Sequence, residues 1–257
     1  LNIDNKNIKK LIKYINRPFL TYGFSQKADY VIDNLKFTNG KPNFYLKKNN
    51  PNPIGSNINV SLNTYGKHNI YNSVGAIIVS WLYKITNKKI IDSLKNFGGV
   101  HRRFQFLGKF KVNKFNNINL IDDYGHHPTE IIETISTAKM AFPNSKIYII
   151  FQPHRYSRTE ICFNEFVSAL INSDKVLLTN IYPAGEKKIS QINSKRIRTK
   201  ILKKRSMKVD VIDYDSDLDL CKIKKKIEFN LNNNDLILTM GAGTISKLPQ
   251  YLKNAWQ

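Results

Sequence analysis

The sequence predicts an α/β fold whose second part is a mostly parallel sheet. From Gln105 onward, short apolar strands alternate with helical segments, which is the pattern of right-handed parallel sheets. Two of the strands, 119–122 and 147–151, run directly into polar residues, as strands do where an open sheet forms a crevice. Hydrophobic residues make up 41% of the 257 residues, which is enough to fill a core.

Residues 1–66 are predicted to form one helix followed by short strands and turns. The helix, 7–15, is predicted from an apolar stripe formed by Ile8, Leu11, Ile12 and Ile15. Strands are predicted at 17–25, 28–37 and 57–64, and a loop rich in Asn, Pro and Gly at 47–56. We interpret nearly all of this region as sheet scaffold.

A helix that begins near His68 would place two amides, Asn69 and Asn72, on one face of its first turn. Paired amides suit the edge of an adenine, which offers donor and acceptor groups. Asn is also a common helix N-cap, and the spacing alone does not separate the two roles.

The segment 90–104 is predicted to be a short helix, a hinge at Gly98 and Gly99, and then a basic pair, Arg102 and Arg103. Taken alone, the basic pair would be a solvated turn. After it, helices are predicted at 158–171, 195–204 and 218–229, strands at 175–179, 208–213 and 235–240, and a last helix after the G-A-G turn. Such a turn can bind an anion, but close packing of helix on sheet is the commoner role.

Polar side chains follow both of the strands that define the crevice. The first strand ends at Asp122 and runs into Asp123, Tyr124, His126 and His127, and the second runs into His154, Arg155 and Arg158. Because the carboxyl ends of parallel strands share one edge, we expect both groups to face one crevice that suits an anionic substrate with a metal nearby. Acids at strand ends are also often helix caps, and single histidines are often packed or exposed. The absence of an H-E-x-x-H pattern means that no metal ligand is assigned.

The formal net charge of +22 has two interpretations. It could neutralise nucleic-acid phosphates, or it could reflect the heavy use of Lys, Asn and Ile throughout the chain. We favour the second, because no nucleic-acid module accompanies the charge. Two cysteines without metal-ligand spacing, and no apolar run of membrane-spanning length, fit a protein of the reducing cytoplasm.

Several strings, in their order along the chain, resemble the Mur ligase family. They are G-x-H-N-x-x-N at 66–72, FGGVHRRF at 97–104, DDYGHHPTE at 122–130, FQPHRYSRT at 151–159, YPAGE at 182–186 and the closing GAG at 241–243. LNID and TYGFS near the start are also similar. The resemblance covers essentially all of this chain and about the second half of those enzymes. It implies the remainder of a central, ATPase-type α/β domain at 1–104 and a Rossmann-like carboxy-terminal domain at 105–257.

The resemblance also implies roles for individual residues. The residues implied to bind ATP are His68, Asn69, Asn72, Arg102, Arg103 and Asp123. Those implied to bind the incoming amino acid are Tyr124, His126, Arg155 and Arg158. The implied reaction belongs to peptidoglycan biosynthesis. It uses ATP and Mg²⁺ to join L-alanine to UDP-N-acetylmuramate through an acyl phosphate.

No G-x-x-x-x-G-K-[ST] phosphate loop is present, and the chain begins at Leu1. In the family the phosphate loop and most Mg²⁺ ligands lie upstream, so we assign no catalytic residue and expect a fragment that is inactive alone. One alternative is the related murein-tripeptide ligase of cell-wall recycling, although QPHRYSRT favours the alanine-adding type. A second alternative is a non-catalytic remnant.

Overall fold

The computed structural model describes residues 1–49 and 54–257, without the side chain of Asn116. These residues divide into two units, Leu1–Gly99 and Val100–Gln257. Four residues of the predicted loop 47–56 lie outside the described ranges. None of the helices within those ranges has the length and apolarity that are needed to cross a membrane.

The first unit contains a four-stranded sheet and three helices. The strands, in sheet order, are β1 (Tyr22–Gly23), β2 (Tyr30–Thr38), β3 (Lys41–Lys48) and β4 (Ile58–Ser61). The helices are α1 (Lys6–Leu11), α2 (Lys67–Leu82) and α3 (Asn87–Asn96). The β2–β3 hairpin turns through Asn39 and Gly40, with φ of 51° and 74°, as two-residue hairpin loops require. The apolar face of α2 packs against the sheet to form the core.

Two predictions for this unit are only partly right. The helix predicted at 7–15 is α1 followed by a 3₁₀ turn, Ile12–Tyr14. The strand predicted at 17–25 is wrong except for β1. Side chains bind the backbone there instead: Asp29 accepts from the N–H of Thr21 at 2.8 Å, and Asp4 accepts from the N–H of Phe24 at 2.7 Å.

The second unit is a six-stranded sheet of order β5-β6-β10-β7-β8-β9. Its strands are β5 (Gln105–Val112), β6 (Phe115–Asp123), β7 (Ile147–Phe151), β8 (Lys175–Thr179), β9 (Lys208–Ile212) and β10 (Leu236–Met240). Its helices are α4 (Pro128–Ala141), α5 (Tyr156–Ile161), α6 (Phe163–Leu170), α7 (Ser194–Lys204), α8 (Leu220–Phe229) and α9 (Leu248–Trp256). Five strands are parallel and β5 is antiparallel at the edge. The predicted α/β class with a mostly parallel sheet is confirmed.

The sheet register explains why polar residues collect at one edge. Met240, at the end of β10, pairs with both Asp123 of β6 and Phe151 of β7. The three strands therefore end level, and their following loops start side by side. The helix predicted at 158–171 is divided into α5 and α6 at Cys162. Arg158 therefore lies in the short helix α5, and Arg155 is the N-cap of that helix.

Candidate functional site

Asp123 organises the loop that follows β6. Its carboxylate is almost fully buried and accepts from the N–H of Gly125 at 2.6 Å and from the N–H of Phe104 at 2.8 Å. Burial raises the pKa of Asp123 above its ordinary value, although these two hydrogen bonds and the charge of Arg103 oppose the shift. The alternative that this acid caps the following helix is wrong, because His127 caps α4.

Arg102 is held inside the unit by Asp122. Its Nε donates to Asp122 Oδ2 at 2.8 Å, and its Nη2 donates to the carbonyl oxygen of Gly241 at 2.7 Å. Thr239 Oγ1 donates to the other oxygen of Asp122 at 2.8 Å. Two donor groups of Arg102 and both oxygens of Asp122 are therefore engaged within the fold, which does not favour direct contact of either with a ligand.

Tyr124 stands between the basic pair and the histidines. The guanidinium carbons of Arg102 and Arg103 lie 5.4 and 5.6 Å from its ring centroid, which is cation–π distance. Its ring meets that of His126 edge-on at 5.1 Å. Arg103 is half exposed, and its side-chain partner is Glu130, with Nη1 3.5 Å from Oε1. Arg103 is therefore better placed than Arg102 to meet a ligand.

Glu130 and His127 form the N-terminal cap of α4. His127 Nδ1 accepts from the N–H of Thr129 at 3.3 Å, while Glu130 Oε2 accepts from the N–H groups of His126 and His127 at 2.9 and 3.1 Å. This is a capping box, and Pro128 opens the helix as predicted. Burial opposes ionisation of Glu130, but the hydrogen bonds from the N–H groups of His126 and His127 and the charge of Arg103 hold its pKa below the ordinary value, as a protonated His126 also would.

The loop after β7 brings the second polar group against the first. The rings of His154 and His126 lie 5.5 Å apart, and Arg158 Nη1 approaches His154 Nδ1 at 3.5 Å. Burial lowers the pKa of His154, and the charges of Arg158 and Arg155 lower it further, as a protonated His126 also would, although Glu186 opposes them. Arg155 is exposed and begins α5 with φ of 69°. The expectation that both groups meet at one edge is confirmed.

The loop after β8, which contains the YPAGE string, joins the same cluster. The ring of Tyr182 packs against His154 with centroids 5.4 Å apart. Glu186 accepts from the N–H and Oγ of Ser157 at 3.0 and 2.6 Å, which attaches this loop to the start of α5. The Ser157 hydrogen bonds hold the pKa of Glu186 below its ordinary value. Four rings, of Tyr124, His126, His154 and Tyr182, therefore form a continuous row across three loops.

The G-A-G turn after β10 is packed tightly against this row. A Cβ on Gly243 would lie 2.5 Å from Gln152 Oε1 and 2.6 Å from the ring of Tyr182. Gln152 is buried, and its Oε1 accepts from the N–H of Ile245 at 2.9 Å. These contacts support the packing role of the turn.

Sequence reasoning missed Gln152 and Glu130; the capping-box pattern H-P-T-E was the available signal for Glu130.

In the first unit, the amides predicted to meet adenine lie in the first turn of α2. Asn69 Nδ2 donates to the carbonyl oxygen of Tyr65 at 2.8 Å, and Asn72 Nδ2 lies 3.5 Å from Asn69 Oδ1. The alternative of N-capping by Asn is wrong, because the N-cap is Gly66. Both amides, with the exposed His68 beside them, therefore lie on the surface of this turn.

The LNID and TYGFS strings lie against the same helix. Asp4 accepts from the N–H of Phe24 at 2.7 Å, from the N–H of Ser25 at 3.2 Å and from the hydroxyl of Tyr71 at 3.0 Å. A Cβ on Gly23 would lie 2.7 Å from Asp4. Asp4 therefore connects the two strings to α2.

Within residues 1–49 and 54–257, no group of three or more His, Cys, Asp or Glu is arranged to hold a metal ion. The second unit does offer exposed guanidiniums beside two imidazoles. Such a surface can bind a carboxylate or phosphate and can donate to or accept from an amine.

Two family models match the chain. The Mur ligase middle domain matches residues 1–80, and the Mur ligase glutamate ligase domain matches residues 102–243. Among curated relatives, the UDP-N-acetylmuramate–L-alanine ligase of Vesicomyosocius okutanii is 39% identical over 98% of this chain and 52% of its own length. The ligase of the same name from Polynucleobacter asymbioticus is 35% identical over 99% and 55%. The chain therefore spans about half the length of the curated relatives that it matches.

Solved structures show the same similarity. UDP-N-acetylmuramate–alanine ligase MurC from Thermotoga maritima matches 93% of this chain and 48% of its own, with 28% identity and a TM-score of 0.72. A murein peptide ligase from Psychrobacter arcticus, at 19% identity and a TM-score of 0.61, shares the fold. MurF ligase from Thermotoga maritima, solved in complex with ADP, also shares the fold, at 17% identity and a TM-score of 0.65.

Proposed function

Because this chain belongs to the Mur ligase family, we propose that it carries the adenine and amino-acid sides of an ATP-dependent ligase that joins L-alanine to UDP-N-acetylmuramate. The convergence of Tyr124, His126, Arg155 and Arg158 at one sheet edge is the observation that carries this proposal. The proposal of two domains, at 1–104 and 105–257, rests on the division of the chain into two units, although that division falls after Gly99 and the second family match begins at residue 102.

The amino-acid side of the proposed reaction uses opposite charges. Arg155 and Arg158 bind the carboxylate of L-alanine, since a guanidinium matches a carboxylate with two parallel hydrogen bonds. Tyr124 and His126 orient the amine. ATP first phosphorylates the carboxylate of the muramic acid, the amine attacks the acyl phosphate, and the tetrahedral intermediate then loses phosphate. The contribution of this chain is to position the substrates and neutralise charge.

Nucleotide-binding roles are proposed for residues of each unit taken by itself. His68, Asn69 and Asn72 bind the adenine, while Arg103 binds the phosphates or ribose. Arg102 and Asp123 are less available, because internal hydrogen bonds engage both. Arg102 then acts by holding the segment that carries Arg103. We assign no Mg²⁺ ligand, because internal hydrogen bonds already engage the carboxylates of Asp122 and Asp123.

The murein-tripeptide ligase of cell-wall recycling is the second candidate within this class. Among the solved structures, the alanine ligase is 28% identical to this chain, whereas the murein peptide ligase is 19% identical. This difference supports the alanine-adding activity. A screen of L-alanine against tripeptide with the chain joined to an upstream half from a relative separates the two candidates. Turnover of the tripeptide alone would reverse the assignment.

Thermal unfolding of the 257-residue chain with ligands tests the proposal directly. A ligand that binds only the folded state raises the transition temperature. We expect ADP to raise the transition temperature of the wild-type chain but not that of the double variant Asn69→Ala/Asn72→Ala. We expect L-alanine to raise the transition temperature of this double variant but not that of Arg158→Met. Absence of any shift with both ligands would reject the two proposed subsites and support the non-catalytic remnant.

We also propose that the chain alone is inactive, since it contains no G-x-x-x-x-G-K-[ST] loop to hold the ATP phosphates. Phosphate release from ATP, measured with and without L-alanine and UDP-N-acetylmuramate, tests this. Release that depends on L-alanine would contradict it.

A further inference from the structure

His126 has a defined tautomer. Its Nδ1 lies 3.1 Å from the carbonyl oxygen of Tyr124. A carbonyl oxygen only accepts, so Nδ1 carries the proton, and Nε2 of the neutral ring keeps a lone pair. Among the described residues, this Nε2 has no hydrogen-bond partner. In its neutral form, His126 therefore offers a ligand a hydrogen-bond acceptor at Nε2.

His154 has the opposite tautomer. Its Nδ1 lies 3.5 Å from Nη1 of Arg158, and a guanidinium only donates, so Nδ1 is the acceptor and Nε2 carries the hydrogen. Burial lowers the pKa of His154, and the charges of Arg158 and Arg155 lower it further, which favours the neutral ring. Within residues 1–49 and 54–257, its Nε2 has no partner either. His154 is therefore a donor, 5.5 Å from the acceptor ring.

Glu130 holds the first of these tautomers. Its Oε2 accepts from the backbone N–H groups of His126 and His127, at 2.9 and 3.1 Å, and lies 3.9 Å from His126 Nδ1. A carboxylate beside Nδ1 favours the proton on that nitrogen. Its other oxygen is 3.5 Å from Arg103. The carboxylate of Glu130 therefore acts on His126 in two ways. It accepts a hydrogen bond from the backbone N–H of His126, and it places a negative charge near Nδ1.

We propose that Glu130 is a positioning residue that keeps His126 as an acceptor through Nε2, beside His154 as a donor through its Nε2–H, so that the pair recognises the two ends of an α-amino acid. The substrate amine donates to His126, and the substrate carboxylate accepts from His154 and Arg158. Only hydrogen bonds form, and no proton is transferred in this step. The identity of the ligand rests on the function proposed above, whereas the two tautomers do not.

The tautomers are measured by ¹⁵N NMR of the imidazole rings in the 257-residue chain, with the histidines assigned by substitution. We expect an Nδ1–H ring for His126 and an Nε2–H ring for His154. Glu130→Gln keeps an acceptor for the backbone but removes the charge, and it should raise the Nε2–H fraction of His126 several-fold. Glu130→Ala should raise it further. Glu133→Gln, on an exposed position of the same helix, is the matched control and should change nothing. An unchanged His126 ring in both Glu130 variants would overturn the positioning role.

The recognition of both ends is tested with blocked ligands on the same sample. L-alanine should shift both Nε2 signals. L-alaninamide, which lacks the carboxylate, should shift that of His126 alone, and N-acetyl-L-alanine, which lacks the basic amine, that of His154 alone. Equal shifts of both rings by either blocked ligand would overturn the pairing. If ADP still stabilises the chain while L-alanine shifts neither ring, this inference fails and the nucleotide part of the proposed function stands.

Discussion

Arg102 and Asp122 form an ion pair with Nε and Oδ2 2.8 Å apart, and their side chains are 13% and 4% exposed. The same guanidinium donates to the carbonyl oxygen of Gly241. One side chain therefore ties the segment before β5 to the ends of β6 and β10. Because the pair is nearly buried, each charge is stabilised by its partner and not by water.

Arg102→Met should destabilise the second unit by about 3–5 kcal/mol, because it leaves the carboxylate of Asp122 buried without its cation. Hydrogen exchange of the slowest amides in β6 and β10 reports the opening free energy of this unit. Arg103→Met is the matched control, since Arg103 is 47% exposed and its ion pair should contribute about 1 kcal/mol or less. Equal effects of the two variants would contradict the structural role of Arg102.

Lys175 and Asp235 form a second buried pair, at the amino-terminal ends of the parallel strands. Their Nζ and Oδ2 atoms are 2.6 Å apart, and Asp235 is fully buried. Lys175→Met should lower the free energy of unfolding by about 3–5 kcal/mol, measured by the same amide exchange in β8 and β10. The double variant Lys175→Met/Asp235→Leu should recover most of this loss. A double variant as unstable as the single one would contradict the charge argument.

The stability of the second unit should depend on the protonation of His154. Its pKa in the folded chain is lowered from 6.5, so the unfolded chain binds the proton more readily. The free energy of unfolding should therefore fall as the pH decreases from about 7 through the folded-state pKa. His154→Gln should flatten this decrease in urea unfolding series between about pH 7.5 and 5. The exposed His101→Gln is the control, and an equally steep profile in the His154 variant would contradict the prediction.

Gly243→Ala should disturb the row of rings. The added Cβ would lie 2.5–2.6 Å from Gln152 and Tyr182, and such overpacking costs about 1–3 kcal/mol. We also expect a loss of the L-alanine response in thermal unfolding, since Tyr182 would be displaced against His154. Gly98→Ala is the control, because its Cβ would meet nothing within 4 Å. Wild-type stability of the Gly243 variant would show that the turn relaxes without strain.

Local signals in the chain account for what could be predicted. The alternation of strands and helices predicted the parallel sheet, and Pro128 predicted the start of α4. The strand at 17–25 failed because Asp4 and Asp29 supply the backbone partners that a neighbouring strand would have supplied. Apolar patterning does not report such side-chain acceptors. The residue roles implied for the ligands remain predictions that the experiments above test.

The sequence by itself determined the α/β class, the two polar groups at strand ends and the family to which the chain belongs, because periodicity and motif order are local properties. Only the tertiary structure decided that β10 lies between β6 and β7, which brings the G-A-G turn between the two polar groups. It also decided that Arg102 is bound by Asp122 whereas Arg103 is half exposed. Contacts between residues more than a hundred positions apart, such as that of Thr239 with Asp122, depend on strand order. Strand order follows from packing and leaves no local pattern in the chain.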